Sequence, residues 1–89
     1  MSAFSVISLS ATNIPLDEAI MKVYPNAYLK LSPYAWLIND NNVTTQEVCT
    51  KLNILPEGIG NAIVIKCDSY FGMAPRNIWE WLAVKAREL

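Results

Sequence analysis

The chain has 89 residues, 53% of them hydrophobic and 17% charged, with a net charge of -1 and no histidine. That length holds one domain with one modest core, and the apolar surplus points to a surface shared with another chain. Seven scattered Lys and Arg make no basic stripe for nucleic acid. Without histidine the commonest general base and metal ligand are missing, and no apolar run approaches the roughly 18 to 20 residues of a membrane span.

Ala3 to Leu9 reads as a first strand, with Phe4 and Val6 on one face and Ile7 and Leu9 on the other. The first twelve residues lack the basic region of a signal peptide, so a cytoplasmic location is expected. Pro15, Asp17 and Glu18 suit the start of a helix, and Leu16, Ala19, Ile20 and Val23 repeat at helical spacing. Pro25-Asn26 stops it. Tyr28 to Leu31 is a short strand, turned by Ser32-Pro33 into a second strand, Tyr34 to Asn39, as an antiparallel hairpin. Tyr34, Trp36 and Ile38 alternate with Ala35, Leu37 and Asn39; both sets are largely apolar, which places this strand mid-sheet. Asp40-Asn41-Asn42 forms a turn. Thr44, three residues before Glu47, has the spacing of a capping box for a helix over Thr45 to Leu52, with Val48, Cys49 and Leu52 as its apolar stripe. Pro56 to Gly60 reads as a mobile connection, and Ala62 to Cys67 as the last strand. A loop from Asp68 to Met73 carries Tyr70 and Phe71; Pro75 then opens a final helix whose apolar residues are Ile78, Trp79, Trp81, Leu82 and Ala86.

The order β-α-β-β-α-β-α predicts an α+β fold over residues 1–89. It is a single ferredoxin-like domain, βαββαβ with an antiparallel four-stranded sheet, plus an extra C-terminal helix. In that arrangement both crossover helices cover one face of the sheet. With Ile7, Leu37, Ile63 and Ile65 toward those helices, alternation puts Phe4, Val6, Trp36, Ile38 and Val64 on the open face. So apolar a face calls for a cover, either the C-terminal helix or a second chain. Trp79 and Trp81 point about 200° apart around a helix. Trp81, in a stripe with Ile78, Leu82 and Lys85, is assigned to the chain's own sheet; Trp79, on the side of Ala83 and Ala86, is assigned to a second chain.

Phe4-Ser5-Val6-Ile7-Ser8, the hairpin into Tyr34-Ala35-Trp36-Leu37-Ile38, and Thr44-Thr45-Gln46-Glu47-Val48 opening a helix to Leu52 together resemble the Cas2-like, SinR-type small proteins of bacteria. The strand Ala62 to Lys66 and the tail Trp79-Glu80-Trp81-Leu82 complete a likeness that spans most of the chain. It implies a ferredoxin-like fold and a homodimer. In Cas2 proteins an aspartate ends the first strand and marks the metal site at the dimer interface. Here that region reads Ser8-Leu9-Ser10-Ala11, with no acid, which puts metal-dependent nuclease chemistry in doubt.

Among candidate chemical groups, Asp17-Glu18 is explained by its place at a helix start and Asp40 by its turn. Asp68 sits where it can meet Asn39 or Asp40 at a sheet edge. The serines have no histidine or evident lysine base, and Gly58-Ile59-Gly60 precedes a strand, the wrong context for a phosphate loop. Cys49 and Cys67 read as buried reduced thiols. No catalytic residue, metal site or cofactor is expected. The aromatic residues Tyr70, Phe71, Trp79 and Trp36 are the candidate protein-interface residues. The expected function is a non-enzymatic protein-binding module, a homodimer that also binds another protein, as an inhibitor or accessory protein of a bacterial defence or mobile-element system. The alternatives are a Cas2-like metal-dependent nuclease or nucleic-acid-binding dimer, for which Asp40 and Asp68 are the acids to test, and a toxin-antitoxin component.

Overall fold

A computed structural model of the chain describes residues 2–10, 14–41, 43–67, 72–73 and 75–85. Seven elements follow in the expected order: β1 (Ser2–Ser8), α1 (Ile14–Val23), β2 (Tyr28–Ser32), β3 (Ala35–Asp40), α2 (Thr45–Lys51), β4 (Ala62–Lys66) and α3 (Arg76–Lys85). They build a small α+β fold with a four-stranded, open, antiparallel sheet in the order β2-β3-β1-β4. The double-sided apolar character of β3 has its reason here: β3 lies between β2 and β1, and its residues from Trp36 to Asn39 are all buried. Register across the two central strands sets Phe4 opposite Ile38 and Val6 opposite Trp36.

The capping box of α2 is formed. The Glu47 amide donates to Thr44 Oγ1 at 3.1 Å, and the Thr44 amide donates to Glu47 Oε1 at 3.0 Å. The helix ends on Asn53, which takes a left-handed φ of 60°. The Ile54 amide then reaches back to the Cys49 carbonyl at 2.8 Å, and the Asn53 amide to the Thr50 carbonyl at 3.1 Å, a Schellman closure with asparagine in place of glycine. The segment after it, read from the sequence as mobile, is a hydrogen-bonded turn: Gly58 donates to the Leu55 carbonyl and Ile59 to the Asn53 carbonyl. Gly58 packs so closely on Asn53 that a Cβ there would overlap the Asn53 main-chain oxygen and lie 2.6 Å from its Cγ.

The main core lies on one face of the sheet. Phe4, Val6, Trp36 and Ile38 meet Leu16, Ile20 and Tyr24 from the α1 side and Val48 and Leu52 from the α2 side. This reverses the expected assignment of faces: Phe4, Val6, Trp36, Ile38 and Val64 lie under the crossover helices, while Ile63 and Ile65 point the other way and stay half exposed, at 45% and 49%. The grouping by alternation is right and the side is wrong. Both sets are apolar, and the isoleucines of β4 outweigh Ala62, Val64 and Lys66 in hydropathy, so sequence alone favours turning them inward.

The buried Trp36 carries a polar handle that needs a partner. Its indole N–H donates to Asp17 Oδ1 at 3.0 Å, and Lys30 closes the arrangement, 3.4 Å from the same oxygen and 5.5 Å above the indole ring. Asp17 thus ties the first turn of α1 to β3, whereas its neighbour Glu18 is exposed. Asp17→Ala, which leaves a buried N–H unpaired, is expected to lower unfolding free energy by about 1 to 3 kcal/mol. Glu18→Ala should change it by no more than about 0.5 kcal/mol, both read by urea denaturation. Gly58→Ala is expected to destabilise by about 1 to 3 kcal/mol, because the new methyl group displaces the closure of α2; a melting temperature unchanged by that substitution would contradict the close packing.

Candidate interaction surface

The polar groups that come together in space do so at the end of the helices, and they come from three elements. Asp40 closes β3, Tyr24 follows α1 and Lys51 ends α2. The Tyr24 hydroxyl donates to Asp40 Oδ2 at 2.6 Å, the Lys51 ammonium donates to the same oxygen at 2.8 Å, and the Asn41 amide donates to Oδ1 at 2.7 Å. Burial by itself would raise the Asp40 carboxyl. The hydrogen bonds from Lys51, Tyr24 and Asn41 and the Lys51 charge outweigh it, and the carboxyl titrates below its ordinary value. Tyr24 moves the other way: burial first, then the hydrogen bond to Asp40 and its negative charge, hold the phenol well above its usual range. The cluster ties the ends of two helices to the sheet. The sequence reading of Asp40 as a turn residue is correct for the Asn41 bond and misses the other two, since Tyr24 and Lys51 are 16 and 11 residues away.

Cys49 and Cys67 are both half-buried and are not joined in a disulfide, and burial pushes the Cys49 thiol up. Among the described residues no three of the types His, Cys, Asp and Glu cluster to hold a metal ion. Asp68, the second acid named for nuclease chemistry, lies outside the described residues. No helix among them is long and apolar enough to cross a membrane. A depression of about 640 Å³ lies beside Leu9, Leu55, Pro56 and Ala62, and no ionisable side chain lines it.

The other sheet face is the second feature. α3 packs on β1 and β2. Its Leu82 is buried with Ala3 and Leu37, and Ile78, Trp79, Trp81, Leu29 and Cys67 pack around them, each partly buried. Beyond this cover Ile63 and Ile65 remain half exposed. Of the four aromatic interface candidates, Trp36 is 0% exposed and belongs to the core under α1, so it offers no surface to a partner. Trp79 is partly buried on the second face, together with Trp81. Trp79 as well as Trp81 thus packs against the chain's own sheet, where the sequence reading gave only Trp81 to it. Tyr70 and Phe71 lie outside the described residues. What the sequence reading did not single out is the pair Ile63 and Ile65. Their signal in the sequence was their alternation with Ala62, Val64 and Lys66, which places both on one face of β4; that β4 stands at an edge comes from the strand order.

No protein-family model, curated protein or solved structure matches the chain.

The Tyr24–Asp40–Lys51 cluster sets a pH dependence. Because Asp40 is depressed in the folded chain, its contribution to stability is complete above the unfolded carboxyl value of about 3.9 and is lost as pH falls through the folded value. Tyr24→Phe is expected to lower unfolding free energy at neutral pH by about 1.5 to 3 kcal/mol, the range for a hydrogen bond to a charged group. Asp40→Asn should be destabilised at neutral pH and should show a flatter loss of stability on acidification than the parent chain. A parallel acid limb in the two, measured by thermal melts across the acidic range, would show that Asp40 carries no such linkage.

Proposed function

We propose that this chain is a ferredoxin-like, non-enzymatic module that works by binding protein, a second copy of itself in the first place. The ferredoxin-like reading is supported by the element order and by the strand order β2-β3-β1-β4, which puts the first and third strands at the centre and the β2–β3 hairpin to one side. The binding reading rests on one observation. One sheet face is closed by α1 and α2, whereas the other is covered by α3 over β1 and β2 and leaves Ile63 and Ile65 half exposed. Bulky apolar side chains exposed side by side on a sheet are the ordinary sign of an interaction surface.

The acids support a binding role rather than a chemical one. Both oxygens of Asp40 are engaged within the chain, and Asp17 is committed to Trp36 and Lys30. The Cas2-like resemblance stays a proposal, and with it a role as an inhibitor or accessory protein of a cytoplasmic bacterial defence or mobile-element system. It rests on Phe4 to Ser8, the hairpin into Tyr34 to Ile38, the helix opened by Thr44 and ending at Leu52, the strand Ala62 to Lys66 and the tail Trp79 to Leu82. Light scattering over the micromolar range is expected to give the mass of two chains. Hydrogen exchange at high protein concentration should add protection on the face that carries Ile63 and Ile65. A single-chain mass throughout the range, with exchange independent of concentration, would overturn the self-binding reading.

A further inference from the structure

We propose that two copies of the chain join through β4, antiparallel and edge to edge, about a two-fold axis at Val64, with Ile63 of each facing the partner's Ile65. The proposal rests on the self-binding reading above and specifies its surface and register. It begins from the hydrogen bonding of β4 to β1. Leu9 donates to the Asn61 carbonyl and Cys67 donates to the Ala3 carbonyl, each at 2.9 Å. Bonded pairs alternate with non-bonded ones in an antiparallel ladder, so Ile63 opposite Ile7 and Ile65 opposite Ser5 are the bonded pairs. Ala62, Val64 and Lys66 therefore turn their main-chain N–H and C=O groups to the outer edge. Among the described residues no strand takes up that edge.

These three outward residues are symmetric about Val64. With the two-fold axis there, Val64 bonds the partner's Val64, and Ala62 and Lys66 bond the partner's Lys66 and Ala62, so that every outward group finds a mate. Moving the axis to position 63 or 65 leaves one of the three outside the ladder. In the fully bonded register, Ile63 and the partner's Ile65 form the non-bonded pairs, whose Cα atoms lie about 4.5 Å apart with side chains in contact. Both isoleucines stand on the second face, so four half-exposed side chains become one covered stripe. Lys66 meets an alanine and no like charge.

The two edges of the sheet differ in the way this requires. β2 is interrupted by a register irregularity between Lys30 and Ser32, carries the charge of Lys30, and runs into Pro33, the usual devices that keep an edge from pairing. β4 is regular, has four apolar residues in succession, and has its only charge at the end. Pairing through β4 alone is isologous and closes at two copies, giving a sheet of twice four strands with a guarded β2 at each end.

The test uses opposite charges at the facing positions of the whole chain. Ile63→Glu and Ile65→Lys change half-exposed side chains and should each leave a folded chain by circular dichroism. Each alone is expected to weaken association at least about tenfold and give the mass of one chain where the parent is a dimer. Mixed in equal amounts they should recover the two-chain mass, because the new carboxylate faces the new ammonium only in this register. Lys66→Pro, which removes an outward N–H and no bond to β1, should also weaken the dimer of a folded chain. A parent dimer that none of these substitutions weakens overturns the edge pairing and leaves self-binding through another surface. Single variants that dissociate without recovery on mixing overturn the register, and a parent that is monomeric overturns the pairing together with the reading beneath it.

Discussion

Trp36 is the contact on which the rest of the structure depends. It stands on a strand with neighbours on both sides, is fully buried, and has one polar atom that Asp17 satisfies from the first turn of α1. An indole of that size with its N–H bonded fixes the height of α1 over the sheet and decides which face of β3 becomes the main core. Phe4, Val6 and Ile38 follow from it by register, and α2 completes the same layer with Val48 and Leu52. Lys30 over the ring keeps the Asp17 charge from standing unpaired at the boundary of that layer.

Once the bulkier apolar set is committed to α1 and α2, the lighter set is left for α3. Ala3 and Leu37 make a thin layer, and α3 fills it with Leu82 and the flanks of two tryptophans. A ten-residue helix packed on β1 and β2 does not extend its cover to both isoleucines of β4. The exposure of Ile63 and Ile65 is thus a consequence of the core arrangement on the opposite face. The acids follow the same commitment: the start of α1, which carries Asp17, and the end of β3, which carries Asp40, are places where helices are tied to a small sheet, and each carboxylate is used for a tie. In a domain this small, two such ties are a sizeable share of a stability of order 5 to 15 kcal/mol.

Local signals were legible in the sequence wherever the physics is local. The order of the seven elements follows from period and punctuation, and their bounds agree to within a residue or two. The capping box of α2 was readable because its two bonds join residues three apart. The double burial of β3 was readable because two apolar sets alternate within six residues. Alternation also sorted Phe4, Val6, Trp36, Ile38 and Val64 from Ile7, Leu37, Ile63 and Ile65 correctly, since neighbouring side chains on a strand must point to opposite faces.

Tertiary structure alone decided which of those two sets would meet the crossover helices. Both are apolar, and hydropathy at β4 favours the wrong one; the packing of α1 and α2, and the Asp17 acceptor for the Trp36 N–H, decide. It also decided the roles of the acids, because the partners of Asp40 stand 11 and 16 residues away and meet it only when two helix ends converge on one strand. Finally it decided which strands stand at the edges of the sheet, since strand order depends on which strands pair across the chain and not on any residue taken singly. Residue types and their spacing determine what can form locally. Which of two apolar faces goes inside is settled only when every element competes for the same core.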